Sequence, residues 1–378
     1  MNIAVAGLGV AGGAVATALA RAGHRLTVFE QAGQPGPVGA GFLLQPSGRA
    51  ALDRLGLLAS VTASSHPIRK FIAYKRPGRV LTELGMDARG VARGVLFSAL
   101  LEAAVAAGAV VIPGGRVEDF SETEDAVTPR DADGRSLGRF DLLLGADGAR
   151  SAIRAKLNPG YGIALSSYGA LWAMGDGAGV CREELRQEAR GTRILSGLLP
   201  VGPRTQTFFW GLRGNEYEPL KAAGFAAFKD RVGEVFPEAV PVLENIGGFE
   251  ALMFTRYGFA TARRLHTRRT VLLGDAAHAM SPHLGQGANL ALLDALALAD
   301  ALATNSDSAR AFAAYARARR GQNLFYAGLS RRLSPFFQSD FAPLGLARDV
   351  ALPLMGAVAP LRGMMERTLS GAREGWLG

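Results

Sequence analysis

A glycine-rich turn between a short apolar strand and a helix constrains the fold of this chain more than any other feature. Residues 2–6 predict a buried strand, Gly13 to Ala22 predict an alanine-rich helix, and Leu26 to Phe29 predict a second strand. A strand, a crossover helix and a second strand make the two strands parallel, and a parallel sheet is covered on both faces. We therefore predict an α/β protein built on a Rossmann-type domain.

The turn itself has the composition that binds the pyrophosphate of a dinucleotide. Gly7 makes the tight turn, Gly9 lets a pyrophosphate approach the backbone at the helix N-terminus, and Gly12 permits close packing of the helix on the sheet. Glu30 ends the second strand, where it is placed to accept hydrogen bonds from both hydroxyls of an adenosine ribose. The alternative is a tight turn followed by a solvent-facing glutamate. From this unit we predict cofactor contacts at Gly7, Gly9, Val10, Ala11, Gly12, Glu30 and Gln31.

Two later segments repeat the pattern of an apolar strand that delivers an acidic residue. The run 141–146 leads to Asp147, and the run 271–273 leads to Asp275, a Pro-containing loop and a glycine-rich helix start. Asp275 is placed to hold a polyol hydroxyl, such as one on a ribityl chain. The backbone N–H groups at 285–288 are suited to negative charge on a reduced flavin. These segments predict cofactor contacts at Asp147, Gly148, Asp275, Pro282, Gly285, Gln286, Gly287, Ala288 and Asn289.

The three segments, in this order, resemble the group A flavoprotein monooxygenases related to para-hydroxybenzoate hydroxylase. The resemblance extends from the N-terminus to about residue 300. It implies FAD as the cofactor, with Asp147 in a motif that serves both FAD and the reducing pyridine nucleotide, and Asp275 on the ribityl chain. It also implies that Arg93 contacts FAD and that the stretch 39–46 passes near the isoalloxazine. We accordingly add Gly41, Arg93 and Val117 to the cofactor contacts and Gln45 to the substrate contacts.

The resemblance implies a mechanism in which the flavin performs the difficult chemistry. NADPH or NADH would bind transiently and reduce the flavin, and dioxygen would then form a flavin hydroperoxide. Its terminal oxygen would hydroxylate or epoxidise an aromatic, phenolic or polyketide-like small molecule. A reductase of the geranylgeranyl reductase type and a non-catalytic flavin-binding protein are the alternatives. A flavin-dependent halogenase is disfavoured because Trp172, Trp210 and Trp376 are isolated and form no Trp-x-Trp motif.

Several other side chains are candidates for the site, each with a simpler structural explanation. His283 lies in the loop expected near the flavin, where it would relay a proton or simply pack the loop. Phe208 and Trp210 lie in a predicted strand, where they would contact the substrate or form core. His278 is interpreted as structural. The spacing of Asp275, His278 and His283 matches no standard metal-ligand pattern, so we predict no metal site.

The chain divides into alternating segments of two kinds. Strands and helices that alternate predict the FAD-binding domain, whereas shorter alternating strand-like runs predict an inserted β-rich substrate domain. The predicted boundaries are 1–65, 92–164 and 263–320 for the FAD-binding domain, 66–91 and 165–262 for the substrate domain, and 321–378 for a helical C-terminal segment.

Composition limits the setting and the partners. The net charge is +9, but its arginines are scattered without interleaved aromatic residues, so nucleic acid is not an expected partner. No uninterrupted apolar run reaches the length of a membrane span, and the N-terminus lacks the features of a secretory signal. The single cysteine, Cys181, cannot form an intramolecular disulfide, which favours a reducing cytoplasm. A homodimer is left open.

Overall fold

The structure is a computed structural model, and it describes residues 1–36, 39–177 and 182–376. Cys181 lies outside the described residues. So do Pro37 and Val38, which belong to the glycine-rich loop 36–41 that leads into the stretch expected near the isoalloxazine and is here called the flavin-side loop. The interpretations made for these residues from the sequence therefore stay predictions.

A parallel sheet, here called sheet A, forms the base of the nucleotide-binding region. Its strands in the described part of the chain are β1 (Asn2–Ala6), β2 (Arg25–Glu30), β6 (Val110–Pro113), β9 (Leu142–Gly145) and β15 (Thr270–Leu272). Their order is β15-β9-β1-β2-β6, and every neighbouring pair is parallel. The predicted parallel sheet is confirmed.

Helices cover sheet A because its strands are apolar on both faces. They are α1 (Val10–Arg21), α2 (Pro46–Arg54), α3 (Leu58–Ala63), α4 (Arg93–Ala106), α5 (Ala152–Leu157), α9 (Asp275–His278) and α10 (Gly287–Thr304). The helix α1 packs on both α4 and α10. The helices α2 and α3 are separated at Gly56, which has a φ of 63° and whose amide donates to the Asp53 carbonyl.

A larger sheet, sheet B, stands beside sheet A. Its strands are β3 (Gly41–Leu44), β4 (His66–Arg76), β5 (Arg79–Ala92), β10 (Ala164–Asp176), β11 (Glu184–Arg190), β12 (Ile194–Pro200), β13 (Thr205–Arg213) and β14 (Met253–Phe259). The order is β14-β10-β13-β12-β11-β4-β5-β3, antiparallel except between β11 and β4. The strand β3 comes from the range predicted as FAD-binding, so it carries the flavin-side loop onto sheet B.

Helices also cover one face of sheet B. They are α6 (Tyr217–Ala222), α7 (Phe225–Val235) and α8 (Val240–Glu244). The sequence interpretation of 165–262 as strand-like overlooked them. Phe208 and Trp210 on β13 pack against Phe228 of α7. The ring centroids of Phe208 and Phe228 are 6.4 Å apart. The apolar face of an antiparallel sheet must be buried, and these short helices bury it.

The C-terminal part is helical, as predicted. It comprises α11 (Ser308–Phe337), α12 (Ala342–Ala357) and α13 (Ala359–Leu369). A small hairpin of β7 (Asp119–Glu122) and β8 (Val127–Arg130) completes the described strands.

Two parts of the described chain are apolar enough to be compared with a membrane span. The helix α10 is long and apolar enough on its own, but 56% of it is buried inside the fold, as in a core helix. The helices α12 and α13 reach that length only together, and they are bent by 105° at their junction.

Candidate active site

Three strand ends bring the predicted cofactor segments to one edge of sheet A. In the parallel register Ala6 lies opposite Gly145, and Leu272 also lies opposite Gly145. The segments that follow β1, β9 and β15 therefore leave the sheet side by side at its carboxyl edge. Ligands of open α/β sheets bind outside this edge.

The glycine turn after β1 leaves room for a ligand only where the sequence predicts it. Gly7 has a φ of 93°, and a Cβ there would lie 2.5 Å from the Ala146 carbonyl oxygen. A Cβ on Gly12 would lie 1.9 Å from the Gly7 carbonyl oxygen. By contrast, a Cβ on Gly9 would meet nothing within 4 Å. Gly7 and Gly12 are required by packing, whereas Gly9 exposes the N-terminus of α1.

The Glu30 carboxylate is fixed beside this turn. Its Oε2 accepts a hydrogen bond from the Leu8 amide, and its Oε1 accepts one from the Ala32 amide, both at 2.9 Å. An ionised carboxylate offers about four lone-pair sites, so acceptor capacity remains for ribose hydroxyls. Of the other predicted contacts around the turn, Gln31 is exposed, Val10 is half-buried, and Ala11 and Val117 are buried.

A buried arginine ties the second predicted segment to the third. Arg154 of α5 donates hydrogen bonds to the carbonyl of Ala276 at 3.0 Å, and to that of Ala149 at 2.6 Å. Asp147 Oδ2 accepts from the Ile153 amide at 3.3 Å. Burial raises the pKa of Asp147, against the opposing hydrogen bonds at the start of α5. The basic helix start seen in the sequence therefore holds two loops together.

Asp275 and Arg93 lie close enough for their charges to interact. Asp275 is exposed, and its side chain makes no hydrogen bond to any described residue. Burial of the Arg93 guanidinium lowers its pKa, and the nearby Asp275 carboxylate opposes this effect. A Cβ on Gly39 would lie 2.8 Å from the Arg93 Cδ, so Gly39 packs directly on this arginine.

The loop between α9 and α10 leaves part of its backbone open to solvent, whereas a side chain at the start of α10 is hydrogen-bonded inside the protein. Gly285 has a φ of 64°, and Gly285, Gly287 and Ala288 are half-buried, whereas Pro282 is exposed. The Asn289 side chain is fully buried and donates to the Leu43 carbonyl at 2.9 Å. Its Oδ1 also accepts a hydrogen bond from the backbone amide of Gln45 at 3.0 Å. The structure thus places Asn289 and Gln45 in a buried tie between β3 and α10.

Gln286 makes a second internal tie. Its side-chain amide donates to the carbonyls of Thr368 and Leu369 at the end of α13, at 3.4 and 3.1 Å. Gln286 is 1% exposed. This side chain connects the C-terminal helices to the start of α10.

A buried ionic cluster beneath the third segment was missed by sequence reasoning. Asp294 accepts hydrogen bonds from the Gly274 amide at 3.0 Å, from His278 Nε2 at 2.5 Å and from Arg319 Nε at 2.7 Å. Burial acts to raise the pKa of Asp294, but His278 and Arg319 hold it well below its usual range. Burial likewise acts to lower the pKa of His278, but Asp294 reverses the sign and raises it. The sequence interpretation of His278 as structural agrees with this position.

His283 lies among aromatic side chains, where its Nδ1 is 2.8 Å from the Ser281 hydroxyl. Its ring lies 5.5 Å from the ring of Tyr257 and 5.9 Å from that of Phe337. Burial lowers the pKa of His283 to about 4, so the imidazole is neutral at pH 7. Gln338 interacts with both Tyr257 and His283. Tyr257 was not found from the sequence, because an isolated tyrosine on a strand carries no signal of what it faces.

The alternation of β13 separates its aromatic residues. Phe208 and Trp210 are fully buried on the face covered by α7, whereas Phe209 points to the other face. There Phe209 lies 5.3 Å from Trp172, its cross-strand partner on β10. Trp172 in turn packs on Tyr257, and Phe337 packs in the same cluster as Phe209. The aromatic surface shared with His283 is therefore formed by Trp172, Phe209, Tyr257 and Phe337.

Among the described residues, no group of three or more His, Asp or Glu side chains has the arrangement of a metal site. The three residues weighed as a metal site lie in different surroundings. Asp275 is exposed at the carboxyl edge of sheet A, His278 belongs to the buried ionic cluster, and His283 lies against the aromatic surface.

Comparisons with known proteins agree with this geometry. The model of the FAD binding domain family matches residues 1–321. The chain is 28% identical to the aurachin C monooxygenase/isomerase of Stigmatella aurantiaca, over 94% of this chain and 95% of that protein. It is 33% identical to the kynurenine 3-monooxygenase of Stenotrophomonas maltophilia, over 84% and 75%. Its fold is similar to that of Klebsiella pneumoniae HpxO complexed with FAD and uric acid, with a TM-score of 0.84, 23% identity and coverage of 100% and 98%.

Proposed function

Because the chain belongs to the FAD binding domain family, we propose that its three converging loops bind one FAD molecule for the oxidation of an aromatic substrate. The enzyme is an FAD-dependent monooxygenase and hence an oxidoreductase. The observation that carries the assignment of the site is the convergence of Gly9, Asp147 and Asp275 at one edge of sheet A. A flavin there would lie between sheet A and the loop that leads into β3.

The residues present fit the parts of FAD in order along this edge. The open backbone at Gly9 suits the pyrophosphate, and the lone pairs left on Glu30 suit the ribose. Asp275, exposed and free of hydrogen bonds to the described residues, suits a ribityl hydroxyl. Arg93 lies near Asp275 and supplies a positive charge. Gly285, Gly287 and Ala288 present backbone at the start of α10.

When bound, FAD accepts reducing equivalents from NAD(P)H and activates dioxygen for transfer of one oxygen atom to the substrate. The described part of the chain contains no second glycine-rich strand–turn–helix unit, which supports a transient pyridine nucleotide. The choice between NADH and NADPH stays open.

The aromatic surface supports an aromatic substrate class. Trp172, Phe209 and Phe337 offer flat apolar contacts, and Tyr257 adds a buried hydroxyl. His283 is neutral at pH 7, so its role would be to accept or donate a hydrogen bond, not to carry charge. One relative is a kynurenine 3-monooxygenase, and the structural neighbour is complexed with uric acid. Kynurenine and uric acid are both ring compounds. Hydroxylation or epoxidation of such a ring in the cytoplasm is the reaction proposed.

Two measurements test the proposal. Denaturation of the purified yellow protein should release FAD and not FMN, because Glu30 and the glycine turn are placed for an adenosine diphosphate moiety. Turnover under ¹⁸O-labelled dioxygen should place one labelled atom in the product. Release of FMN would remove the cofactor assignment. Turnover that continues without dioxygen would favour the reductase alternative.

A further inference from the structure

The C-terminal helices α12 and α13 expose an apolar surface. On α12, Leu346, Val350 and Leu354 are exposed at four-residue spacing, so they share one side of that helix. Exposed apolar side chains also flank both ends of α12 and continue into the first turn of α13. The members of this apolar face, with their exposed fractions, are Phe341 (62%), Leu346 (66%), Val350 (63%), Leu354 (62%), Val358 (48%) and Leu361 (38%). From 350 to 361 the chain contains no charged residue. A contiguous exposed patch of this kind usually marks an interaction surface.

The opposite side of these helices is fixed to the body of the protein. Arg348 is 2% exposed and donates hydrogen bonds to the carbonyls of Gly191 at 2.8 Å and Phe336 at 3.1 Å. Glu366 of α13 accepts a hydrogen bond from the Gly85 amide of β5 at 2.9 Å. The helices are therefore held in place with the apolar face outward.

Cationic side chains border the apolar face. Next to the turn between β4 and β5, Lys75 of β4 pairs with Asp349 of α12 at 2.8 Å. Arg76 ends β4 and Arg79 begins β5, so they flank this turn, and both are exposed and form no salt bridge with any described residue. On α13, Arg362 and Arg367 are also exposed. These five cations outnumber the two acids among them, Asp349 and Glu366, so the border is positive.

Two candidate occupants differ in how they meet this border. A second copy of the chain would bring the two positive borders together, which is unfavourable. An anionic bilayer surface attracts each lysine or arginine near it by about 1 kcal/mol. The 105° bend prevents α12 and α13 from crossing a bilayer as one straight span, but both helices can lie in its interface.

We propose that the apolar face of α12 and α13 docks this enzyme on an anionic membrane surface. The basic turn of β4 and β5 contacts the lipid headgroups, and the apolar side chains enter the boundary with the acyl chains. The inference does not depend on the reaction proposed above, because it concerns the surface alone.

The test is flotation of the FAD-loaded full chain with vesicles of phosphatidylcholine, with and without phosphatidylglycerol. We expect binding to the anionic vesicles, weakened by salt. The double variant Val350→Glu with Leu354→Glu should lower the partition coefficient at least roughly tenfold. Arg76→Glu with Arg79→Glu should lower it at least roughly 25-fold, because losing about 1 kcal/mol per arginine is about fivefold each.

The matched control is Val105→Glu with Val110→Glu, two valines that are 52% and 55% exposed elsewhere on the surface. This variant should bind vesicles like the parent. Absorbance of bound flavin and the Tm identify any variant that fails to fold, and single Val350→Glu then replaces the double change. Equal vesicle binding by the parent and the apolar-face variants would overturn the proposal. So would a dimer in analytical ultracentrifugation that Val350→Glu dissociates, because a second copy would then cover the face.

Discussion

The guanidinium of Arg154 donates a hydrogen bond to the carbonyl of Ala276 at 3.0 Å, although the two residues are 122 positions apart. Ala276 directly follows Asp275, and Arg154 follows the loop that carries Asp147. One buried side chain therefore sets the spacing between two loops of the proposed FAD site. Burial lowers the pKa of Arg154, and the Asp147 and Asp275 carboxylates oppose this effect.

Replacing Arg154 should loosen both loops. Arg154→Leu leaves buried carbonyls without a donor, and hydrogen bonds to charged groups contribute about 1.5–3 kcal/mol. We expect the free energy of unfolding to fall by about 3 kcal/mol and FAD to dissociate more readily. Urea denaturation and flavin fluorescence measure the two effects. Arg150→Leu, at an exposed position nearby, is the control, and equal losses in both variants would contradict the role of Arg154.

Asp275→Ala should weaken FAD retention. A hydrogen bond from a ribityl hydroxyl to a carboxylate contributes about 1.5–3 kcal/mol, so the Kd should rise about 10- to 150-fold. The control is Asp133→Ala, whose carboxylate is 65% exposed in a surface turn and pairs with Arg135. Titration of the apoprotein with FAD gives both constants. If the two variants bind FAD equally well, Asp275 does not contact the cofactor.

Gly12→Ala should disturb the turn itself. The added Cβ would lie 1.9 Å from the Gly7 carbonyl oxygen, so α1 must shift away from β1. Overpacking of this kind costs about 1–3 kcal/mol, and the shift should also lower FAD affinity. Gly162→Ala is the matched control, because its Cβ would meet nothing within 4 Å and its φ is not positive. Thermal unfolding and FAD titration that fail to separate the two variants would contradict the expectation.

The pair of His278 and Asp294 predicts how stability depends on pH. The pKa of His278 is raised above its usual 6.5 in the folded protein. Its contribution to stability is therefore fully present below pH 6.5 and is lost as the pH rises through the raised value. The free energy of unfolding should decline over this range. His278→Gln should remove that part of the decline, and an unchanged pH profile in the variant would contradict the assignment.

Substrate should accelerate reduction of the flavin. The loop residue Gly39 packs on Arg93, and no separate pyridine-nucleotide domain exists among the described residues, which favours a gate in which the flavin shifts position. We expect the rate of NAD(P)H oxidation to rise at least roughly tenfold with the right aromatic substrate. This corresponds to lowering the activation free energy of flavin reduction by about 1.4 kcal/mol. Anaerobic stopped-flow absorbance measures this step. Equal reduction rates with and without a substrate that is turned over would refute the gate.

Local sequence patterns identified the framework of the molecule well. The first strand, helix and second strand were predicted within a few residues of β1, α1 and β2, because their periodicity and their glycine turn are local properties. The family and the FAD cofactor are confirmed by the match over residues 1–321. The three helices α6, α7 and α8 were not anticipated. They are short, and the need to cover sheet B is a property of the assembled sheet.

What the sequence alone determined was the set of loops that leave parallel strands, since each motif is contiguous and its backbone conformation follows from its glycines. Only the tertiary structure decided which side chains face a ligand. Gln45 and Asn289 lie in motif positions, but they form hydrogen bonds with each other and with nearby backbone. The strand pleat directs Phe208 and Phe209 to opposite faces of β13, but only the packing of α7 decides which of these faces becomes core. These outcomes depend on partners in other elements, and no local pattern records such partners.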